Sequence, residues 1–367
     1  MSIRQTTPVT IITGFLGSGK TTLINRILRE MHGQRLAVIE NEFGAVGVDA
    51  QFLVADNNET IIELANGCLC CTVRGDLARA LQQLATQADS GAFAFDRVLI
   101  ETTGIADPGP IVQTFLAETE ILSRFHLDGV ITLVDGVHGE NQLDQLENRA
   151  QIGYADRLLL TKCDLGDTAK LAALSQRIGE MNPRAEIVPV DVHTAPVGEL
   201  IELLLETRSY QFDYIGREEL QRYTRVRQPL ISPGSSPSLQ CARMARRHTE
   251  DVVSCVFESE IALNLPSLNI FFDVIQQRYG KSLWRYKGIV YAFNERPRLI
   301  IQGVQTLLQI NGGTIWRPFE KRRSVLVFIG QALDSVWITA QLRACEVKEE
   351  KELARASVAP GQLDARG

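Results

Sequence analysis

"PVTIITGFLGSGKTTLINRIL", residues 8–28, decides the fold. A short apolar run rich in Val, Ile and Thr leads into a glycine-rich turn, and the turn opens a segment with helical spacing. Gly14-x-x-x-x-Gly19-Lys20-Thr21 is a phosphate-cradling pattern in the setting it requires, between a strand and a helix. Its glycines let the backbone curl so that several N–H groups converge on phosphate oxygens. Gly14, Phe15, Leu16, Gly17, Ser18 and Gly19 are therefore expected to wrap a nucleotide phosphate, with Thr22 closing the loop. Lys20 is expected to neutralise the β- and γ-phosphates, and the Thr21 hydroxyl to bind Mg²⁺. The start of the helix adds its own partial positive charge.

Outward from this loop, apolar runs recur with helical stretches between most of them. They are 36–40, 60–64, 97–101, 130–135, 157–162 and 186–190, alternating with helical stretches such as 20–31, 75–88 and 168–181. Continuous apolar strands separated by helices predict an α/β domain: a P-loop NTPase with a mostly parallel, doubly wound sheet. Ligands of such sheets bind beyond the carboxyl ends of the strands. The chemistry-bearing residues fall at those ends.

"RVLIETTG" (97–104) delivers Glu101 to a strand end, where a carboxylate holds Mg²⁺ directly or through water. The N–H of Gly104 is then placed to sense the γ-phosphate. "TKCD" (161–164) follows another strand. Asp164 can accept the two adjacent donors on guanine, N1–H and the 2-amino group, and the stem of Lys162 can lie along the ring. Thr161 stands where GTPases commonly place Asn. "ENEFG" (40–44) ends a strand with the carboxylates Glu40 and Glu42.

"NGCLCC" (66–71) puts Cys68, Cys70 and Cys71 within four residues. Three thiolates suit Zn²⁺ or a similar soft ion. Buried cysteines acting as small hydrophobes, or a dithiol–disulfide pair, are the other readings of such a cluster. Three sulfurs are one short of a closed tetrahedral shell, and Glu40 or water can complete it. An incomplete shell suits metal transfer better than permanent structure.

The chain has 367 residues, 45% hydrophobic and 22% charged, which fits two domains with sizeable cores. No run of eighteen apolar residues occurs, so no membrane span is expected. The N-terminal stretch lacks signal-peptide character, and the seven cysteines do not form a disulfide framework. A cytoplasmic protein is expected. Residues 1–206 carry 15 Lys and Arg against 28 Asp and Glu, a net of −13; residues 207–367 carry 23 against 16, a net of +7. Opposite signs let two domains attract each other, or let the basic half receive an acidic partner.

The alternation stops near residue 207. "QPLISPGSSPSLQ" (228–240) reads as a linker, and 207–250 is assigned to it. Strands at 252–259, 287–293, 298–304 and 325–330 with a helix at 267–280 predict a smaller C-terminal α+β domain over 251–345. A polar tail, 346–367, follows and is expected to be disordered.

"PVTIITGFLGSGKTTL", "IENEFG", "NGCLCC", "IETTGIADPGPI", "DGVITLVDGVH" and "YADRLLLTKCD", in this order, resemble the CobW-related metallochaperone GTPases. "RYKGIVY", "QGVQ" and "VFIG" are similar to that family's C-terminal domain. The resemblance implies a protein that hydrolyses GTP and binds zinc, or a neighbouring ion such as Co²⁺ or Ni²⁺, through Cys68, Cys70 and Cys71. It also implies a switch at Glu40 through Gly44, a Mg²⁺-side carboxylate in Glu101, and a C-terminal domain that helps recognise a client metalloprotein. Many relatives carry a histidine-rich stretch between the domains; here that region holds only His248. Nothing in the residues selects cobalt. A monomer or a weak, metal-dependent homo-oligomer is expected, with no nucleic-acid partner. Two other readings fit parts of the pattern: a P-loop small-molecule kinase, and a nucleotide-binding thiol redox sensor.

Overall fold

The computed structural model describes residues 6–30, 33, 35–41, 51–55, 61–65, 73–91, 94–205, 207, 209–210 and 252–347. The chain divides into two compact units.

The first unit is built on an eight-stranded sheet in the order β4-β3-β2-β5-β1-β6-β7-β8. These strands are β1 Thr7–Gly14, β2 Leu36–Asn41, β3 Gln51–Ala55, β4 Ile61–Ala65, β5 Arg97–Thr102, β6 Phe125–Asp135, β7 Arg157–Thr161 and β8 Glu186–Val190. Six of them, β2 to β8 in sheet order, pair in parallel. Helices α1 Lys20–Arg29 and α8 Val197–Leu204 cover one face. There Leu23, Ile24 and Ile27 of α1 and Leu200 and Leu204 of α8 pack on Ile12, Leu99 and Ile131. Helices α6 Leu146–Tyr154 and α7 Thr168–Met181 contribute Ile152, Leu174 and Ile178 to a second apolar cluster with Val134, Leu158 and Leu160. Burial on both faces is why Val98, Leu99 and Ile100 at the centre of β5 form an unbroken apolar run; all six residues of the strand are buried. Helix α7 starts at Asp167, whose carboxylate accepts from the N–H groups of Ala169 and Lys170. The remaining helices of this unit are α2 Val73–Asp89, α3 Gly109–Ala117, α4 Thr119–Leu122 and α5 Gly139–Gln142.

One edge departs from the parallel pattern. Strand β3, unread in the sequence, inserts antiparallel between β2 and β4. Two reversals restore the direction, so β4 runs with β2. The register joins Leu64, Phe52, Ile39, Ile100 and Ile11 into one row across five strands. The carboxyl ends of β4, β2, β5 and β1 therefore reach the same edge of the sheet.

The second unit is a five-stranded antiparallel sheet in the order β12-β11-β10-β13-β9. Its strands are β9 Val252–Ser259, β10 Leu283–Val290, β11 Pro297–Val304, β12 Leu307–Ile315 and β13 Ser324–Gln331, with helices α9 Leu265–Tyr279 and α10 Ser335–Ala344. Phe271 and Phe272 of α9 meet Tyr286, Phe328 and Trp337 in an aromatic core. Strand β10 begins four residues before the expected start at 287, because buried Arg285 interrupts the apolar pattern that marks a strand.

Candidate nucleotide site

The loop from β1 to α1 is shaped by three left-handed glycines: Gly14 at φ 142°, Gly17 at 75° and Gly19 at 96°. A Cβ on Gly14 would lie 2.3 Å from the Leu133 carbonyl oxygen on β6. Only glycine lets the two strands approach where the loop departs. Phe15 is buried beneath the loop, and Leu16 and Gly17 are exposed at its crest.

Lys20, 7% exposed, folds over this loop and donates to the carbonyls of Gly14 (2.9 Å) and Phe15 (3.1 Å). Burial pushes its pKa down, and nearby Glu101 opposes that shift. An ammonium has three donors, so these two bonds hold it without using all of its capacity. Thr21 Oγ1 donates to Glu101 Oε1 at 2.6 Å. A hydroxyl and a carboxylate in contact at a helix start are the hard oxygen donors Mg²⁺ prefers, so these residues fit that ion. Thr22, one residue on, is exposed on α1.

Behind this pair, Thr102 Oγ1 donates to Thr13 Oγ1 at 2.7 Å and ties the ends of β5 and β1 together. Gly104 then touches the phosphate loop: a Cβ there would lie 2.6 Å from the Leu16 Cα. The sequence-predicted residues Gly14 to Thr21, Glu101 and Gly104 thus form one constellation. Gln142 and Gln151, which the sequence reading passed over, brace it. Gln142 Nε2 donates to the Leu16 carbonyl at 3.2 Å. Gln151 Nε2 donates to the carbonyls of Gly104 (3.2 Å) and Ala106 (3.0 Å).

"TKCD" joins the same edge. Thr161 is 1% exposed, and its Oγ1 donates to the Ser18 carbonyl at 2.9 Å. This contact uses the hydroxyl as a scaffold for the phosphate loop. Lys162 takes the left-handed conformation, φ 56°, and its Nζ reaches the Gly17 carbonyl (2.8 Å) and Asp135 Oδ2 (2.7 Å). Asp164 stands exposed in the 3-10 turn that follows. Asp135 is a further residue not singled out from the sequence; its only signal there is its place at the end of "VITLVD". Its Oδ1 also accepts from the N–H groups of Val137 and His138. Burial works to raise its pKa, but the Lys162 bond and these two backbone N–H groups outweigh it, so the carboxyl sits below its usual range.

Glu40 pairs in backbone register with Glu101 across β2 and β5. The cysteines Cys68, Cys70 and Cys71 and the segment Glu42 to Gly44 lie outside the described residues. Their chain neighbours are described: β4 ends at Ala65, and α2 begins at Val73. Leu64 is three strand spacings from Ile100, about 14 Å at the usual interstrand distance. Strand β4, the last described element before the cysteines in sequence, therefore ends at the edge that carries Glu101.

Comparison with known proteins matches most of the chain. Residues 8–189 match the family described as CobW/HypB/UreG, nucleotide-binding domain, and residues 252–346 match the cobalamin synthesis protein cobW C-terminal domain. The zinc chaperone YjiA of Escherichia coli is 39% identical over 334 residues, covering 90% of this chain and 96% of that protein. The chain belongs to the CobW/HypB/UreG family.

Another member, the zinc chaperone CobW of Pseudomonas aeruginosa, is 31% identical over 369 residues, covering 92% of this chain and 90% of its own length. The zinc-regulated GTPase metalloprotein activator 1 of Schizosaccharomyces pombe is 40% identical over 188 residues, covering 49% of this chain and 45% of that protein. Among solved structures, the Zn(II)-bound YjiA GTPase from E. coli superposes with a TM-score of 0.71 at 35% identity, covering 94% of this chain and all of that one. The fold expected from the sequence is thus the CobW-family fold: a P-loop NTPase sheet followed by a smaller antiparallel α+β domain.

Proposed function

We propose that this protein is a GTPase that carries zinc and couples its nucleotide state to metal transfer into a client metalloprotein. The observation that carries this reading is the common sheet edge. The phosphate loop follows β1 at that edge, Glu101 and Gly104 stand at the end of β5, and β4, the last strand before the cysteines in sequence, ends there within a few strand spacings.

In this reading Gly14 to Thr22 hold the phosphates, and Lys20 offsets their charge. Thr21 and Glu101 hold Mg²⁺, which supplies electrostatic stabilisation of the transferring phosphoryl group. Asp164 accepts from guanine, while Thr161 and Lys162 keep the base loop fixed to the phosphate loop. Zinc is the cargo, held by Cys68, Cys70 and Cys71 with Glu40 as fourth ligand. Relatives named zinc chaperones, zinc-regulated GTPases and a Zn(II)-bound GTPase support zinc over cobalt or nickel. Among the described residues no helix is long and apolar enough to cross a membrane, consistent with work in the cytoplasm.

A loop that touches the γ-phosphate loses that contact on hydrolysis, so metal affinity follows nucleotide state. Linkage makes the effect reciprocal, and a tenfold change corresponds to about 1.4 kcal/mol of coupling. Zinc titration with a non-hydrolysable GTP analogue and with GDP tests this. Different affinities are expected in the two states; equal affinities would remove the coupling. Replacing the three cysteines with serine is expected to abolish tight zinc binding and leave nucleotide binding intact. Metal-free protein after anaerobic purification, with a Cys68–Cys71 disulfide forming on mild oxidation, would favour a thiol sensor instead. Phosphate delivered to a small-molecule acceptor rather than to water would favour a kinase.

A further inference from the structure

Helix α6 reaches two loops of the nucleotide site through a pair of glutamines. Gln151 is 0% exposed, and its Nε2 donates to the carbonyls of both Gly104 and Ala106, at 3.2 and 3.0 Å. Its Oε1 is buried with no hydrogen-bond partner. Turning the amide over would aim that oxygen at two carbonyls, so only this orientation is favourable.

Gln142 repeats the pattern. Its Nε2 donates to the Leu16 carbonyl at 3.2 Å, and its Oε1 is likewise buried without a partner. The Gln142 backbone carbonyl accepts from Asn148 Nδ2 at 2.8 Å. Asn148 stands three residues before Gln151 on α6, hence on the same side of the helix. One helix thus holds the crest of the phosphate loop through Asn148 and Gln142, and the loop after β5 through Gln151. Three residues beyond Gln151, the Tyr154 hydroxyl stands against Gly109 at the start of α3, where a Cβ would lie 2.5 Å away. The helix is itself anchored. Thr132 Oγ1 of β6 donates to the Gln151 backbone carbonyl at 2.8 Å, and Ile152 is buried in the apolar cluster with Val134, Leu158 and Leu160.

A buried acceptor left unpaired is costly, and each one calls for an explanation. For packing alone, Met or Leu would fill position 151 without that cost. What glutamine adds is a pair of donors on a side chain long enough to reach both carbonyls of the loop. These bonds fix the loop by its oxygens and leave a donor over. The Ala106 N–H closes a turn on the Thr103 carbonyl at 3.2 Å, whereas the buried Gly104 N–H meets no acceptor among the described residues. A free N–H beside a phosphate loop suits a further phosphate oxygen.

The phosphate loop serves the phosphates that GTP and GDP share. The Gly104 loop can add a bond only to the third. The spacing between the two loops therefore separates triphosphate from diphosphate, and an error of about 1 Å is enough to cost about a hundredfold in rate.

We propose, on the GTPase reading given above, that Gln151 and Gln142 are positioning residues through which α6 sets the spacing between the phosphate loop and the Gly104 loop, and with it the preference for a triphosphate. Each acts through the backbone it holds.

Gln151→Met and Gln142→Met keep side-chain length and remove the donors. Calorimetric titration of the full chain with GDP and with a non-hydrolysable GTP analogue, alongside GTP turnover, tests both. Each variant is expected to lose about tenfold in affinity for the analogue, about 1.4 kcal/mol, with GDP affinity within about twofold of wild type. Turnover should fall at least as far. Gln142 is half-buried, so its variant keeps the test open should the core substitution at 151 fail to fold. A lowered melting temperature with both affinities moving together would reduce the glutamines to structural braces and overturn the proposal. So would an unchanged ratio of the two affinities with wild-type turnover. Wild-type protein that binds neither guanine nucleotide would instead overturn the GTPase reading itself.

Discussion

Thr21 and Glu101 lie eighty residues apart in sequence and 2.6 Å apart in space. One opens α1 and the other ends β5, so the pair exists only because β5 lies beside β1 in the sheet. Each fixes the other's orientation before any ion binds.

Glu101→Gln keeps the shape of this pair and removes its charge. Turnover of GTP is expected to fall about a hundredfold, about 2.7 kcal/mol of transition-state stabilisation. The Mg²⁺ concentration needed for half-maximal turnover should rise, while GDP affinity measured without Mg²⁺ stays close to wild type. Phosphate release at the wild-type rate would remove Glu101 from the metal side of the site.

Asp135→Asn tests the residue that pairs with Lys162, whose ammonium also bonds to the Gly17 carbonyl. The substitution takes away the Lys162 partner and weakens the bonds to Val137 and His138. A stability loss of about 1–3 kcal/mol is expected, with weaker guanine-nucleotide binding. The pH dependence follows from the lowered pKa. A depressed carboxyl contributes stability that is complete above the ordinary value of 3.8 and is lost as pH falls through the lower folded value. Acid unfolding curves should therefore show a limb below 3.8 that Asp135→Asn removes.

Gly104→Ala drives a methyl group to 2.6 Å from the Leu16 backbone, which cannot yield as a side chain would. The loop after β5 must lift from the phosphate loop. If the Gly104 N–H senses the γ-phosphate, affinity for a GTP analogue should fall at least about tenfold, about 1.4 kcal/mol, with GDP affinity much less affected. Calorimetric titration with both nucleotides decides; equal losses would assign Gly104 a packing role alone.

Asp128→Ala tests stability away from the nucleotide. Asp128 is 1% exposed and pairs with Arg97 at 2.8 Å. It also receives the Thr207 N–H at 3.1 Å, and its carbonyl receives Thr207 Oγ1 (2.7 Å) and the Ser209 N–H (2.8 Å). Removing the carboxylate leaves a buried guanidinium without its partner, at a cost of about 3–5 kcal/mol. Urea unfolding should shift accordingly, while turnover per folded molecule stays near wild type, because Asp128 lies at the opposite end of β6 from Asp135.

Most strands of the first unit were legible because parallel strands buried on both faces leave unbroken apolar runs. The helix over 168–181 was read to the residue from its helical spacing, a local signal that its Asp167 cap reinforces in the structure. Strand β3, "QFLVA", escaped notice because its five residues, next to the edge strand β4, carry no clear alternation or turn signal. Strand β12 escaped because its paired glycines, Gly312 and Gly313, imitate a turn. Asp135 looked like one strand-end acid among several; nothing local marks it as the partner of Lys162.

The sequence by itself determined the phosphate-loop pattern, the TKCD stretch, the succession of the main strands along the chain and the family. Each of these is written in contiguous residues whose chemistry acts locally. Only the tertiary structure decided that Thr21 meets Glu101, that Lys162 is held by Asp135, that Gly104 presses on Leu16, and that Gln151 holds the loop after β5. Those contacts join residues brought together by strand order, register and helix packing, so no stretch of the chain read alone contains them.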